Sequence, residues 1–261
     1  MKRLIAGCGL FLCLSTVSWG IDLKYAGATT IQLGFMYDAA QEYKKDKGKT
    51  ISIMGGGSSA GIKGVLIGTI GIGGAGRAVS EKELEKGIVY TTVAWDSIAI
   101  VVNKKNPIDN LTAEQLKKIH TGEIKNWKEV GGIDHDISII TSHVGSATKK
   151  VFQKIVMHKE PYTKRATIVH STRDEVDKVL ENAFAIGAVS TSFAADKDVK
   201  IVKVNGLLPT KENVQAQSYK IARPLNFVTK GEATGEAKDF IAFMLSEKGQ
   251  SIITQKFIGV K

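Results

Sequence analysis

Residues 53–80 read Ile53-Met54-Gly55-Gly56-Gly57-Ser58-Ser59-Ala60-Gly61-Ile62-Lys63, then an apolar segment from Gly64 to Ile72, then Gly73-Gly74-Ala75-Gly76-Arg77-Ala78-Val79-Ser80. Two glycine-rich loops thus flank one short apolar stretch. Glycine permits positive φ and lets the backbone approach a ligand with no Cβ in the way. Backbone N–H groups exposed at a helix start form a concavity for anions. Ser58 and Ser59 add hydroxyl donors, and Ile62 to Leu66 can begin a helix. The same pattern also fits two tight turns in an α/β sheet, so the loops alone leave turn and ligand cradle both open.

Working outward, strand, loop and helix patterns alternate. Asp22 to Ala26 reads as a strand ending at Gly27-Ala28-Thr29-Thr30, and Phe35, Ala39, Ala40 and Tyr43 follow at helical spacing up to Lys47-Gly48. Ser80-Glu83, Thr112-Gln115 and Thr172-Glu175 suit capping boxes. Ile88–Val93 and Ile98–Asn103 are strand-like, Ile137–Thr141 leads into Ser142-His143-Val144-Gly145-Ser146-Ala147-Thr148, and Lys238–Phe257 reads as one terminal helix. This alternation predicts an α/β fold with mostly parallel sheets. Gly/Ser/Thr-rich loops recur at strand-to-helix transitions at Thr29-Thr30, Ser58-Ser59 and Ser146–Thr148. In open α/β sheets, ligands lie beyond the carboxyl ends of strands, beside helix N-termini.

The ends and the composition narrow the setting. Lys2 and Arg3 precede an apolar run from Leu4 to Val17, and Ser18-Trp19-Gly20 offers small residues for cleavage, so residues 1–20 are expected to be a secretory signal. Ile5-Ala6-Gly7-Cys8 superficially matches a lipidation box, but most of the apolar run lies after it. Both cysteines, Cys8 and Cys13, fall inside this segment, which leaves residues 21–261 without disulfide or thiolate chemistry. Removing the signal takes the formal charge from +10 to +8, a balance that favours anionic partners. The lysines are scattered and not interleaved with aromatics, which argues against nucleic acid.

Several short motifs point elsewhere. Gly71 to Gly76 satisfies G-x-G-x-x-G with Asp96 downstream, but the next helix starts late, at Ser80. Gly57-Ser58-Ser59-Ala60-Gly61 matches the nucleophile-elbow pattern, and Ser146-Ala147-Thr148-Lys149 matches S-x-x-K without the companion motifs of that chemistry. A periplasmic serine hydrolase using Ser59 or Ser146 is therefore the alternative reading. The histidines His120, His135, His143, His158 and His170 show no metal spacing and read as surface residues, His143 excepted because it lies in the third loop. Neither metal nor cofactor is expected.

The order of motifs resembles the phosphate-binding subunit of ABC phosphate importers. The resemblance spans nearly all of residues 21–261. Its carriers include Gly27–Gln32, Gly55–Lys63, Trp95–Asn103, Leu111–Leu116, Thr121-Gly122-Glu123-Ile124-Lys125-Asn126-Trp127, Gly145–Lys149, Ala185–Ser190 and Arg223-Pro224-Leu225. It implies a two-lobed type II periplasmic binding protein fold with two crossover strands. Lobe one would comprise 21–100 and 218–261, and lobe two 101–217, with crossovers near Ile98–Asn103 and Ala222–Val228. It further implies a periplasmic monomer without catalytic activity that closes on phosphate or a related tetrahedral oxyanion and docks on an inner-membrane permease. A homologue that kept the fold and lost the ligand, in a scaffold or sensing role, is the third reading.

The family's anion contacts map onto Thr29, Thr30 and Ser58, with Ser59 beside it, and onto Gly145, Ser146, Ala147 and Thr148. Gly76 stands where the family has aspartate or serine, and Ser142 where it has an arginine that pairs with phosphate. Arg77, His143 and Lys149 are candidate replacement cations, and a site without the carboxylate and the arginine is expected to bind oxyanions less selectively.

Overall fold

The computed structural model describes residues 20–260; the expected signal segment, apart from Gly20, lies outside them. Its strands are β1 (Leu23–Gly27), β2 (Ile51–Met54), β3 (Ile72–Ala75), β4 (Ile88–Asn103), β5 (Asn110–Leu111), β6 (Ser138–Ser142), β7 (Thr167–Val169), β8 (Ala185–Ser190), β9 (Val199–Val204), β10 (Ala222–Lys230) and β11 (Ile258–Gly259). They are joined in the order β2-β1-β3-β10-β4-β8-β6-β7, with β9 and β11 also pairing to β4 and β5 to β9.

The long strand β4 threads the whole sheet. Its first ten residues, Ile88 to Ser97, pair antiparallel with β10, and Ile98 to Val102 pair antiparallel with β8. The change of partner falls at Ile98, whose N–H donates to Ile221 O at 2.8 Å. The sequence suggested two strands here; they merge because β10 supplies a ladder for Ala94 to Ser97. The sheet is mixed and not mostly parallel. Pairings of β1 with β2 and β3, and of β6 with β7 and β8, are parallel, as βαβ crossovers require. The pairs made by β4 and β10 are antiparallel because the chain returns through them.

Apolar cores form on both faces of each half of the sheet. On the first half, Tyr25, Phe35, Phe227 and Phe240 are fully buried, with edge-to-face rings such as Tyr25–Phe227 at 6.3 Å. Ala26, Ile62, Val65 and Val228 cover the other face. On the second half, Ile100, Trp127, Phe152 and Ile186 form one core, and Val101, Val176, Val179 and Val189 the other. Core residues change halves between Ala94 and Ile98 on β4, and between Ile221 and Leu225 at β10.

Two expectations need correction. The terminal helix is broken into Gly235–Leu245 and Glu247–Thr254, because Ser246 is extended and its hydroxyl caps the second helix through Gly249 N–H. His120 is not a surface residue. It is fully buried against Phe152, with Nδ1 at 2.8 Å from Leu116 O, and burial drops its pKa to about 4. Among the described residues, no helix is long and apolar enough to cross a membrane.

Candidate functional site

Four helix N-termini meet at one small cavity of about 20 Å³, too small for an organic ligand. The first is Ala28-Thr29-Thr30, after β1. The second is Gly57-Ser58, after β2, where Gly56 at φ 109° makes the turn that no side chain tolerates easily. The third is Ser146-Ala147-Thr148, after β6, and the fourth is Ser171-Thr172, after β7. His143, His170 and Arg223 complete the lining. Each helix start brings the positive end of its dipole to this point.

The hydroxyls are polarised in one direction. Thr30 Oγ1 accepts from Arg223 Nη2 at 2.8 Å, Ser58 Oγ from Gly76 N–H at 3.0 Å, and Ser146 Oγ from Lys149 N–H at 3.3 Å. Thr148 Oγ1 accepts from Thr172 Oγ1 at 3.4 Å, and Ser171 Oγ from Asp174 N–H at 3.2 Å. Accepting in this way leaves the protons of the Thr30, Ser58, Ser146, Thr148 and Ser171 hydroxyls free to donate, whereas Thr172 spends its own on Thr148. His143 Nδ1 accepts from Gly145 N–H at 3.0 Å, which places the proton of the neutral ring on Nε2. The result is a cavity rich in donors.

Arg223 is the charged member. It is 1 % exposed; its Nε and Nη2 bind Asp96 Oδ2 at 3.0 and 2.9 Å, while Nη1 is buried without any hydrogen-bond partner. Both oxygens of Asp96 are engaged, Oδ1 accepting from Ser190 Oγ at 2.7 Å. Burial pushes the Asp96 carboxyl up from its ordinary value, against the opposing pull of Arg223 and Ser190. A buried guanidinium N–H with no acceptor is costly unless a ligand satisfies it.

Other predicted positions are engaged elsewhere. Arg77 makes a two-pronged pair with Glu83 at 2.7 and 2.9 Å and does not line the cavity. The same arginine draws the Glu83 carboxyl down to about 2. Lys149 Nζ lies 4.9 Å over the Tyr162 ring, and burial lowers its pKa. Ser59 Oγ is 3.5 Å from Lys150 Nζ. Gly76 backs the cavity through its N–H to Ser58, and a Cβ there would stand 3.6 Å from Arg223 Nη1. Ser142 is buried and donates to Glu175 Oε1 at 2.5 Å. Glu175 is therefore not a helix cap, a role Ser171 takes.

Arg223, His170 and the Ser171-Thr172 helix end were not singled out from sequence as ligand groups. The capping pattern at residue 172 marked a helix start but not its destination, and Arg223 stood out as part of a motif without an assigned role. Among the described residues, no group of three His, Cys, Asp or Glu side chains is placed to hold a metal ion.

A mixed sheet threaded by β4 and β10, with helix N-termini converging on a small polar cavity beside those strands, defines the type II periplasmic binding protein fold. A family model described as the PBP superfamily domain matches residues 20–248, and the chain belongs to that superfamily. Among curated relatives, the phosphate-binding protein PstS of Bacillus subtilis is 32% identical over 240 residues, covering 90% of this chain and 79% of its own. That of Borreliella burgdorferi is 29% identical over 252 residues, covering 92% and 90%. Among solved structures, a Clostridium perfringens substrate-binding protein ascribed to phosphate ABC transport, with bound phosphate, superposes with a TM-score of 0.87 at 39% identity, covering 92% of this chain and 99% of that one. An ABC-type phosphate transport receptor from Vibrio cholerae gives 0.78 at 31% identity, covering 92% and 100%.

Proposed function

We propose that this protein captures inorganic phosphate, or a related tetrahedral oxyanion, outside the cytoplasmic membrane and delivers it to an ABC permease. The observation that carries this reading is the donor-lined cavity with the unpartnered Nη1 of Arg223 beside it. The relatives' names supply phosphate as the anion. Export through a cleaved segment at residues 1–20, a periplasmic location and a monomeric state belong to the same proposal. The lobes are residues 21–100 with 218–261, and residues 101–217, moving about the two long strands.

No observation favours a hydrolase. Ser59 Oγ stands 3.5 Å from Lys150 Nζ and Ser146 Oγ accepts from Lys149 N–H, and among the described residues neither serine hydroxyl has a histidine partner. Calorimetry with phosphate tests the proposal. One phosphate per chain is expected, and a chain that binds no oxyanion would overturn the reading. Arg223→Lys keeps a charge beside Asp96 but loses the fork, and should weaken binding about ten- to a hundredfold, since hydrogen bonds to charged groups are worth about 1.5–3 kcal/mol.

A further inference from the structure

Glu175 is a buried carboxyl that the binding scheme above does not use. It is 1 % exposed, its Oε1 receives the Ser142 hydroxyl, and its Oε2 has no hydrogen-bond partner. Among the described residues, no lysine, arginine or histidine nitrogen makes a salt bridge to it. It lies on the helix Thr172–Glu181, one turn behind Thr172, which lines the cavity and donates to Thr148. An ionised carboxylate so placed has no counter-charge in contact, and an unpaired buried charge is strongly unfavourable.

We propose that Glu175 sets the charge this site accepts: as a neutral acid it lets the anion settle on the third and fourth helix ends, and as a carboxylate it disfavours the anion, so that capture and protonation of Glu175 are linked. The inference rests on the oxyanion reading above. Burial pushes the Glu175 carboxyl up to about 8, opposed by the Ser142 hydroxyl and backbone and by the more distant charges of Lys149 and Arg223. The groups facing it are Ser142 on β6, Lys149 on the helix Ala147–Ile155, Arg223 on β10 and Tyr162, whose own ionisation is pushed up by burial and by Glu175. His143 and His170 line the cavity itself, and Asp96 lies behind Arg223. A bound anion near Glu175 raises its proton affinity further, and by reciprocity the proton favours the anion.

The test is calorimetry with inorganic phosphate from pH 6.5 to 9.5, on wild type and on Glu175→Gln. The two chains share the ligand's ionisation, the histidines and Lys149, so the ratio of their affinities isolates Glu175. Wild-type affinity should fall relative to Glu175→Gln above about pH 8, approaching tenfold per pH unit, with proton uptake on binding in that range. A constant ratio across the range would overturn the proposal, as would an equally steep fall in Glu175→Gln, which would assign the slope to Lys149. A carbon-13 titration of the Glu175 carboxyl in the phosphate-free protein gives an answer even without binding. An ordinary carboxylate value there sinks the inference, whereas failure of both chains to bind any oxyanion sinks the proposed function.

Discussion

At the scale of single residues, the site separates charge from selectivity. A carboxylate acceptor in a phosphate site rejects sulfate, because protonated phosphate can donate to it while sulfate leaves a buried lone pair unpaired at about 1–3 kcal/mol. Here Gly76 supplies no acceptor, and Asp96 has both oxygens engaged by Arg223 and Ser190. The remaining groups, Thr172 aside, can donate to any tetrahedral oxyanion. Sulfate is therefore expected to compete with labelled phosphate, with a preference for phosphate below about a thousandfold. A larger preference would mean that an acceptor not identified in this cavity faces the anion.

At the scale of elements, the helix Gly57–Leu66 shows how packing aims a side chain. It lies so close to β1 and β3 that a Cβ on Gly61 would come within 2.7 Å of Ala26 O and 3.0 Å of Gly74 N. Ser58 sits one turn earlier on the same helix, held by the Gly76 N–H. Gly61→Ala must push the helix outward and carry Ser58 with it. Overpacking of this kind costs about 1–3 kcal/mol, and a thermal melt should fall by roughly 2–4 °C per kcal/mol, with weaker phosphate binding alongside. An unchanged melt and affinity would show that the helix has slack. The Thr121–Trp127 motif, the most distinctive string in the sequence, is likewise about packing. Gly122 ends one helix at φ 88°, Asn126 caps the next turn, and buried Trp127 donates to Phe184 O at 2.9 Å.

At the scale of the whole molecule, the cavity is built from both halves of the sheet, and two strands connect them. Ser59 and Lys150 meet across the gap at 3.5 Å, and a Cβ on Gly57 would stand 3.3 Å from Gly145 O. Arg223 touches Asp96 at the crossing and Thr30 in the first half, so the proposed anion contact, Nη1, stands beside the two connecting strands. Binding by closure predicts that small-angle scattering records a smaller radius of gyration with saturating phosphate than without it. Equal radii, with phosphate binding confirmed in the same sample, would refute closure.

The sequence by itself determined the alternation of strands and helices, the loops at Thr29-Thr30, Ser58-Ser59 and Ser146–Thr148, and the family motifs. All of these are local, since glycines, caps and apolar spacing act over one or two turns. Tertiary structure decided which cations meet the cavity. Arg77, adjacent to the glycine loop in sequence, is taken by Glu83 six residues on. Arg223 reaches Asp96 across 127 residues and Thr30 across 193. It also turned Glu175 from an expected cap into a buried acid facing Ser142, through the pairing of β6 with β7. Such choices depend on strand register and burial between distant segments, and no local spacing encodes them.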